Sequence, residues 1–289
     1  MPLILWIIVF AAFGGIASAA FAVVFLWVPV ERSGRILTHF VSFATGALLG
    51  AALLALLPEA IEGAGASGSH RIGLVVLLGL GVFFVTEKLV LWWHAHVHED
   101  ATGSARACPQ HADDPPGQPH RARHPPDLES DRAPHAHHRE RASGVLVLVG
   151  DSLHNALDGV LIAAAFLTNV PLGLVTTFAV AAHEIPHRVG DFAILVQAGL
   201  SQRRALLLNL ATGIASVVGA IAAWFGLGLA RGVLPYALAF AAAGFLYIAV
   251  AGLIPGLHRR VDPRTSAVQV LLISLGVATV GVAGALVRE

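Results

Sequence analysis

An all-α membrane protein of eight transmembrane helices is the fold class this sequence predicts, and three observations carry it. Of its 289 residues, 56% are hydrophobic and only 12% charged, about half the charged share of a soluble domain. The apolar residues come in blocks of roughly twenty, the length that crosses a hydrocarbon core about 30 Å thick. Two of those blocks hold most of the interior polar groups. Lys+Arg and Asp+Glu balance at 18 each, so charge gives no sign of a nucleic-acid partner. The single cysteine, Cys108, excludes an intramolecular disulfide and a thiolate metal cage. Histidine is the informative excess, at 15 residues, because imidazole is the commonest side-chain metal ligand.

The apolar segments fall at about 3–28, 37–57, 71–93, 143–167, 172–199, 204–230, 233–256 and 266–287. Each is expected to be helical, since backbone groups facing lipid must be satisfied within the segment. Ala17-Ser18-Ala19 resembles a signal cleavage site, but no Lys or Arg precedes the run and it exceeds a usual signal core, so an uncleaved first span is expected. The chain divides into spans one to three (1–93), a histidine-rich stretch (94–142), spans four and five (143–199) and spans six to eight (200–289). The histidine-rich stretch mixes Pro, Arg and Asp with His94, His96, His98, His111, His120, His124, His135, His137 and His138. It lacks hydrophobic periodicity and reads as a disordered loop, either simply solvated or loosely metal-collecting.

Flanking positive charge sets the orientation. Alternate connections carry thirteen arginines, among them Arg32, Arg35, Arg203, Arg204, Arg259, Arg260 and Arg264, against Arg71, Arg231 and Arg288 on the other side. Both termini are therefore expected on the non-cytoplasmic side of a plasma (inner) membrane, with the histidine-rich loop in the cytoplasm. An inverted repeat is also suggested, because span two ends Leu57-Pro58 and span seven ends Ile254-Pro255, in opposite crossing directions.

Spans four and five carry the chemistry. Asp151, His154, Asn155 and Asp158 recur at intervals of three or four, as do His183, His187 and Asp191, so each set lines one helical face. A charge inside a span costs about 2.5–3.5 kcal/mol on insertion scales, and so many on two neighbouring helices exceed what cross-bracing requires. The short connection makes the helices antiparallel. Asp158 then faces His183, His154 faces His187 and Asp151 faces Asp191. Pro186 cannot donate to the Ala182 carbonyl, so a kink is expected within the cluster. Imidazole, carboxylate and amide donors without thiolate suit Zn(II), with Fe(II), Mn(II) or Cd(II) as alternatives, and exclude Cu(I). Glu59 and Glu62, at the outer end of span two, read as entrance carboxylates or as solvated loop residues.

His154-Asn155-x-x-Asp158-Gly159 and His183-Glu184-Ile185-Pro186-His187-x-x-Gly190-Asp191 resemble the paired motifs of the ZIP (Zrt-/Irt-like) zinc and iron transporters, in the subgroup with a His-Glu-x-Pro-His signature. The resemblance implies a 3+2+3 arrangement of spans, with metal held by His154, Asp158, His183 and His187. It implies a neighbouring second position with Asn155 and Glu184, while the spacing of the ladder adds Asp191 to the metal ligands and Asp151 to the pathway. A homodimer is compatible with it. The chain departs from the family pattern at Ser216, Ala251, Gly252 and Arg188, where relatives often carry metal-binding or acidic residues, so one dominant ion position is expected. No enzyme activity is expected.

The main rival is an intramembrane zinc metalloprotease, because His183-Glu184-x-x-His187 is literally an HExxH pattern. Pro186 between the histidines, an Asp motif that precedes them, and more ligands than an open catalytic zinc keeps all argue against it. A metal sensor without transport lacks a folded soluble region to signal with.

Overall fold

The computed structural model describes residues 2–20, 30–65, 67–99, 132–259 and 262–286. Among the described residues there is no strand. The helices in order are α1 (Leu3–Ala12), α2 (Val30–Gly50), α3 (Leu57–Ala64), α4 (Ser69–Glu99), α5 (Arg132–Thr168) and α6 (Val170–Gln197). They continue as α7 (Gln202–Thr212), α8 (Ile214–Leu229), α9 (Leu234–Tyr247), α10 (Ile254–Leu257) and α11 (Pro263–Leu286). Short π-helical segments follow α1 (Phe13–Ala17), link α2 to α3 (Ala51–Leu56) and link α9 to α10 (Ile248–Leu253).

Seven stretches among the described residues are long and apolar enough to cross a membrane: Leu3–Ala20, Gly34–Ala64, Ser69–Leu89, Val147–Thr168, Gln202–Leu229, Arg231–Leu257 and Pro263–Ala285. The remaining long helix, α6, has 28 residues, about 42 Å at 1.5 Å per residue. It differs in composition, carrying Glu184, Arg188 and Asp191. Outward faces are apolar. Leu77 and Leu78 on α4, and Val270 and Leu271 on α11, are each more than 60% exposed, an arrangement that suits hydrocarbon rather than water.

Helix α4 runs on to Glu99 and α5 begins at Arg132, so both flanks of the expected 94–142 loop are helical. A span projecting past the apolar zone can prolong its own hydrogen-bond ladder through polar residues at no nucleation cost. His111, His120, His124 and Cys108 lie outside the described residues.

Packing sorts the helices into two groups. In one, α5 lies along α8, α1 packs on both, and α6 pairs with α5. Trp6 and Phe10 stack on each other and meet Phe166 at a tilt where α1 meets α5. In the other group α2 lies along α11 and α9 along α4. The groups meet chiefly where α2 and its π segment touch α6, and where α9 touches α5. The expected inverted repeat has a matching structural form. Each six-residue π segment stands directly before a proline in the first turn of the next helix, Pro58 in α3 and Pro255 in α10. A proline ring clashes with the carbonyl four residues back and supplies no N–H, and widening to i→i+5 bonding accommodates both defects. The α2–α11 contact and the α9–α4 contact are the pair a two-fold exchange of span two with span seven requires.

Candidate metal centre

A single residue, Asn169, separates α5 from α6. Its extended backbone (φ −159°, ψ 156°) and its Oδ1, which accepts from the Leu172 amide at 2.8 Å, cap α6. Its Nδ2 donates to Glu59 Oε1 at 3.1 Å. Such a tight reversal fixes the antiparallel register, and with it the depth at which the two polar faces meet. Helix α6 stays one α-helix across Pro186. It ends at Gln197 with Ala198 as its C-cap, after which Gly199 takes a positive φ of 86°.

The cluster is braced from behind. A Cβ built on Gly159 would lie 1.8 Å from the Ser216 carbonyl oxygen, and one on Gly219 would lie 2.0 Å from that of Ala156. Only glycine permits so close a crossing of α5 and α8, and it sits beside Asp158. From α9, the buried Phe245 ring meets His183 edge-on at 6.1 Å.

Four donors then converge. His183 Nε2 lies 3.4 Å from Asp158 Oδ2 and 3.3 Å from His154 Nε2. His154 Nε2 lies 3.5 Å from Glu184 Oε1 and 3.8 Å from Asp158 Oδ2. All four donor atoms fall within 4.8 Å of one another. Donors held 2.0–2.1 Å from a tetrahedral ion stand roughly 3.3–3.4 Å apart, so the closest separations are those of a zinc-sized coordination shell. His183 Nδ1 lies 3.1 Å from the Ala179 carbonyl. Donation of its N–H there leaves Nε2 as the lone-pair nitrogen. Asp158 Oδ2 and Glu184 Oε1 are buried with no hydrogen-bond partner. Such oxygens are costly unless a cation completes them.

One turn along, Asp151, His187 and Asp191 form a second group within 4.8 Å, with His187 Nε2 at 3.6 Å from Asp191 Oδ2. The His187 side chain is 49% exposed, whereas Glu184 is fully buried. The His154 and His187 rings lie 5.3 Å apart between centroids. Geometry thus groups Glu184 with His154, Asp158 and His183, and places His187 with the outer pair of aspartates. The resemblance implied His187 in the main position and Glu184 beside Asn155. Both polar atoms of Asn155 are engaged by protein: Nδ2 donates to Asp151 O and Oδ1 at 2.8 and 2.9 Å, and Oδ1 accepts from Arg188 Nη2. Glu59 lines a cavity of about 270 Å³ with Leu54, Asn169 and Val175, and Glu62 is exposed.

Sequence reasoning passed over the group behind the ladder. Arg188 is completely buried. Its Nη1 donates to Asp151 Oδ2 at 2.7 Å, to Asn209 O and Oδ1 at 3.0 Å each, and to Thr212 Oγ1. Its Nε lies 2.8 Å from Glu184 Oε2, an ion pair without hydrogen-bond alignment. Asn209 returns a bond from Nδ2 to the Arg188 carbonyl at 2.9 Å. The available signal was Asn209 and Thr212, two polar residues three apart within the sixth span.

The family model described as ZIP Zinc transporter matches residues 3–284. The chain belongs to the ZIP zinc transporter family. It is 35% identical to the zinc transporter SLC39A7 of Mus musculus, over 95% of this chain and 68% of that protein. It is 33% identical to the zinc transporter ZIP13 of Gallus gallus, over 86% of this chain and 74% of that protein. To the zinc transporter ZIP5 of Homo sapiens it is 36% identical, over 81% of this chain and 49% of that protein. ZIP proteins are membrane transporters rather than enzymes, and the protease reading of His183-Glu184-x-x-His187 finds no support.

Proposed function

We propose that this ZIP chain carries Zn(II) across the membrane toward the cytoplasm, through the donors of His154, Asp158, His183 and Glu184. The carrying observation is the spacing of those four donors together with two buried carboxylate oxygens that accept no hydrogen bond. His187 and Asp191, beside Asp151, then form the next step along the path, at the end of the ladder nearer the arginine-rich connections. Asn155 supports the centre by holding Asp151 and Arg188, and Glu59 stands at the entrance beside Asn169. In this reading α6 is the fifth span and brings the count to eight, its charges turned inward. The plasma (inner) membrane, external termini and a homodimer complete the proposal. Fe(II), Mn(II) and Cd(II) would fit the same nitrogen and oxygen donors.

The test is radiolabelled zinc uptake by proteoliposomes containing the full chain. Wild-type vesicles should accumulate zinc, and those carrying His183→Ala should not. Vesicles that take up none of the four ions, yet cleave a membrane peptide in a Glu184-dependent way, would overturn the reading.

A further inference from the structure

Three oxygen donors from two helices surround one guanidinium. Asp151 Oδ2 is 2.7 Å from Arg188 Nη1, Glu184 Oε2 is 2.8 Å from Nε, and Asn155 Oδ1 accepts from Nη2. The far side is closed by Asn209 and Thr212 of α7. Two carboxylates and an amide oxygen form a shell that a divalent cation would take. Here a side chain with no exposed surface stands in it. The two positions are joined by one residue. Glu184 presents Oε1 to the four-donor cluster, 3.5 Å from His154 Nε2, and Oε2 to Arg188. Glu184 thus faces a positive centre with each of its two oxygens.

We propose that the Arg188 guanidinium is a resident cation filling the second ion position of this centre, so that the chain carries one Zn(II) at a time. This rests on the proposed transport site. The physical case is charge. Asp151 and Glu184 would be two buried, mutually repelling carboxylates without a cation between them, and Arg188 offsets one of the two charges permanently, because guanidinium does not deprotonate in proteins. A tethered charge cannot leave, so this position stays filled while the neighbouring one loads and empties. It also shares Glu184 with the cargo, which weakens that carboxylate's hold on a bound ion and favours release. The sequence is consistent with this assignment. Ser216 on α8 is fully buried with an unpartnered hydroxyl, so α8 brings no carboxylate that would require a second divalent ion.

The experiment is anomalous diffraction from crystals of the full chain soaked in Cd(II), for wild type and for Arg188→Glu. The expected result is one Cd(II) in wild type, among His154, Asp158, His183 and Glu184, and two in Arg188→Glu, the added one beside Asp151, Asn155 and Glu184. A first ion with an unfilled second position in Arg188→Glu overturns the assignment of Arg188 alone. No ion in the four-donor cluster of wild type overturns the transport site beneath it. If Arg188→Glu does not fold, wild type at saturating Cd(II) decides: a second ion with the guanidinium displaced overturns the proposal, and a guanidinium still in place beside a single ion upholds it.

Discussion

Replacing Gly159 by alanine tests whether the α5–α8 crossing holds Asp158 in place. The added Cβ would start 1.8 Å from the Ser216 carbonyl oxygen and 2.9 Å from the Ala220 nitrogen, both backbone atoms that cannot rotate away. Reaching ordinary contact near 3.4 Å requires the helices to part locally by about 1.6 Å, in an interior packed too densely to absorb the change elsewhere. Overpacking of this kind costs about 1–3 kcal/mol of stability. The larger effect falls on the ion. Coordination tolerates only about 0.2 Å, so displacing the residue beside Gly159 should weaken zinc binding by about 10–100-fold, as loss of supporting contacts does at metal sites. Gly150 is the control. It lies on the same helix, and a methyl group added there would meet nothing within 4 Å, so alanine should gain up to about 1 kcal/mol in helix propensity. The assay is initial zinc uptake by proteoliposomes against external zinc concentration, with His183→Ala vesicles as background, alongside thermal unfolding in detergent. Gly159→Ala vesicles with wild-type zinc dependence would refute the reasoning, as would equal losses in Gly150→Ala and Gly159→Ala.

Two further outcomes follow from the same geometry. Arg188→Met leaves Asp151 and Glu184 as buried charges without their counter-ion, a loss of about 3–5 kcal/mol, visible as a lowered unfolding midpoint; a midpoint at the wild-type value would contradict the buried ion-pair account. Asn169→Ala removes both the Leu172 cap and the bond to Glu59, costing about 1 kcal/mol, whereas Asn169→Ser gives up the Glu59 bond but should keep the cap, and equal midpoints for the two variants would show that the cap contributes nothing.

The helical architecture was legible because apolar blocks of membrane length admit few other structures. So was the pairing of the two polar faces. Intervals of three and four in Asp151-His154-Asp158 and His183-His187-Asp191 fix a face, and a one-residue connection fixes depth, which brings Asp158 to His183. Which donors share an ion was less accessible. Glu184 and His187 lie within one turn on α6, and their division between groups depends on Arg188, whose partners Asn209 and Thr212 are supplied by α7, far along the chain. Such long-range partners leave no local periodicity. The ends of α4 and α5 escape the sequence for a different reason: hydrophobic period marks where a helix is buried, and both helices continue beyond that point. The π segments before Pro58 and Pro255 were foreshadowed only by the prolines themselves.

The most direct measurement is zinc uptake by proteoliposomes carrying Asp158→Asn beside wild type. The substitution keeps size and shape but removes the buried negative charge that lies 3.4 Å from His183 and 3.8 Å from His154. If a cation passes between α5 and α6 through this cluster, uptake falls by at least about a hundredfold, the scale of losing a charged hydrogen-bonding or coordinating group in a buried site. Undiminished uptake by correctly inserted Asp158→Asn protein would place the route elsewhere.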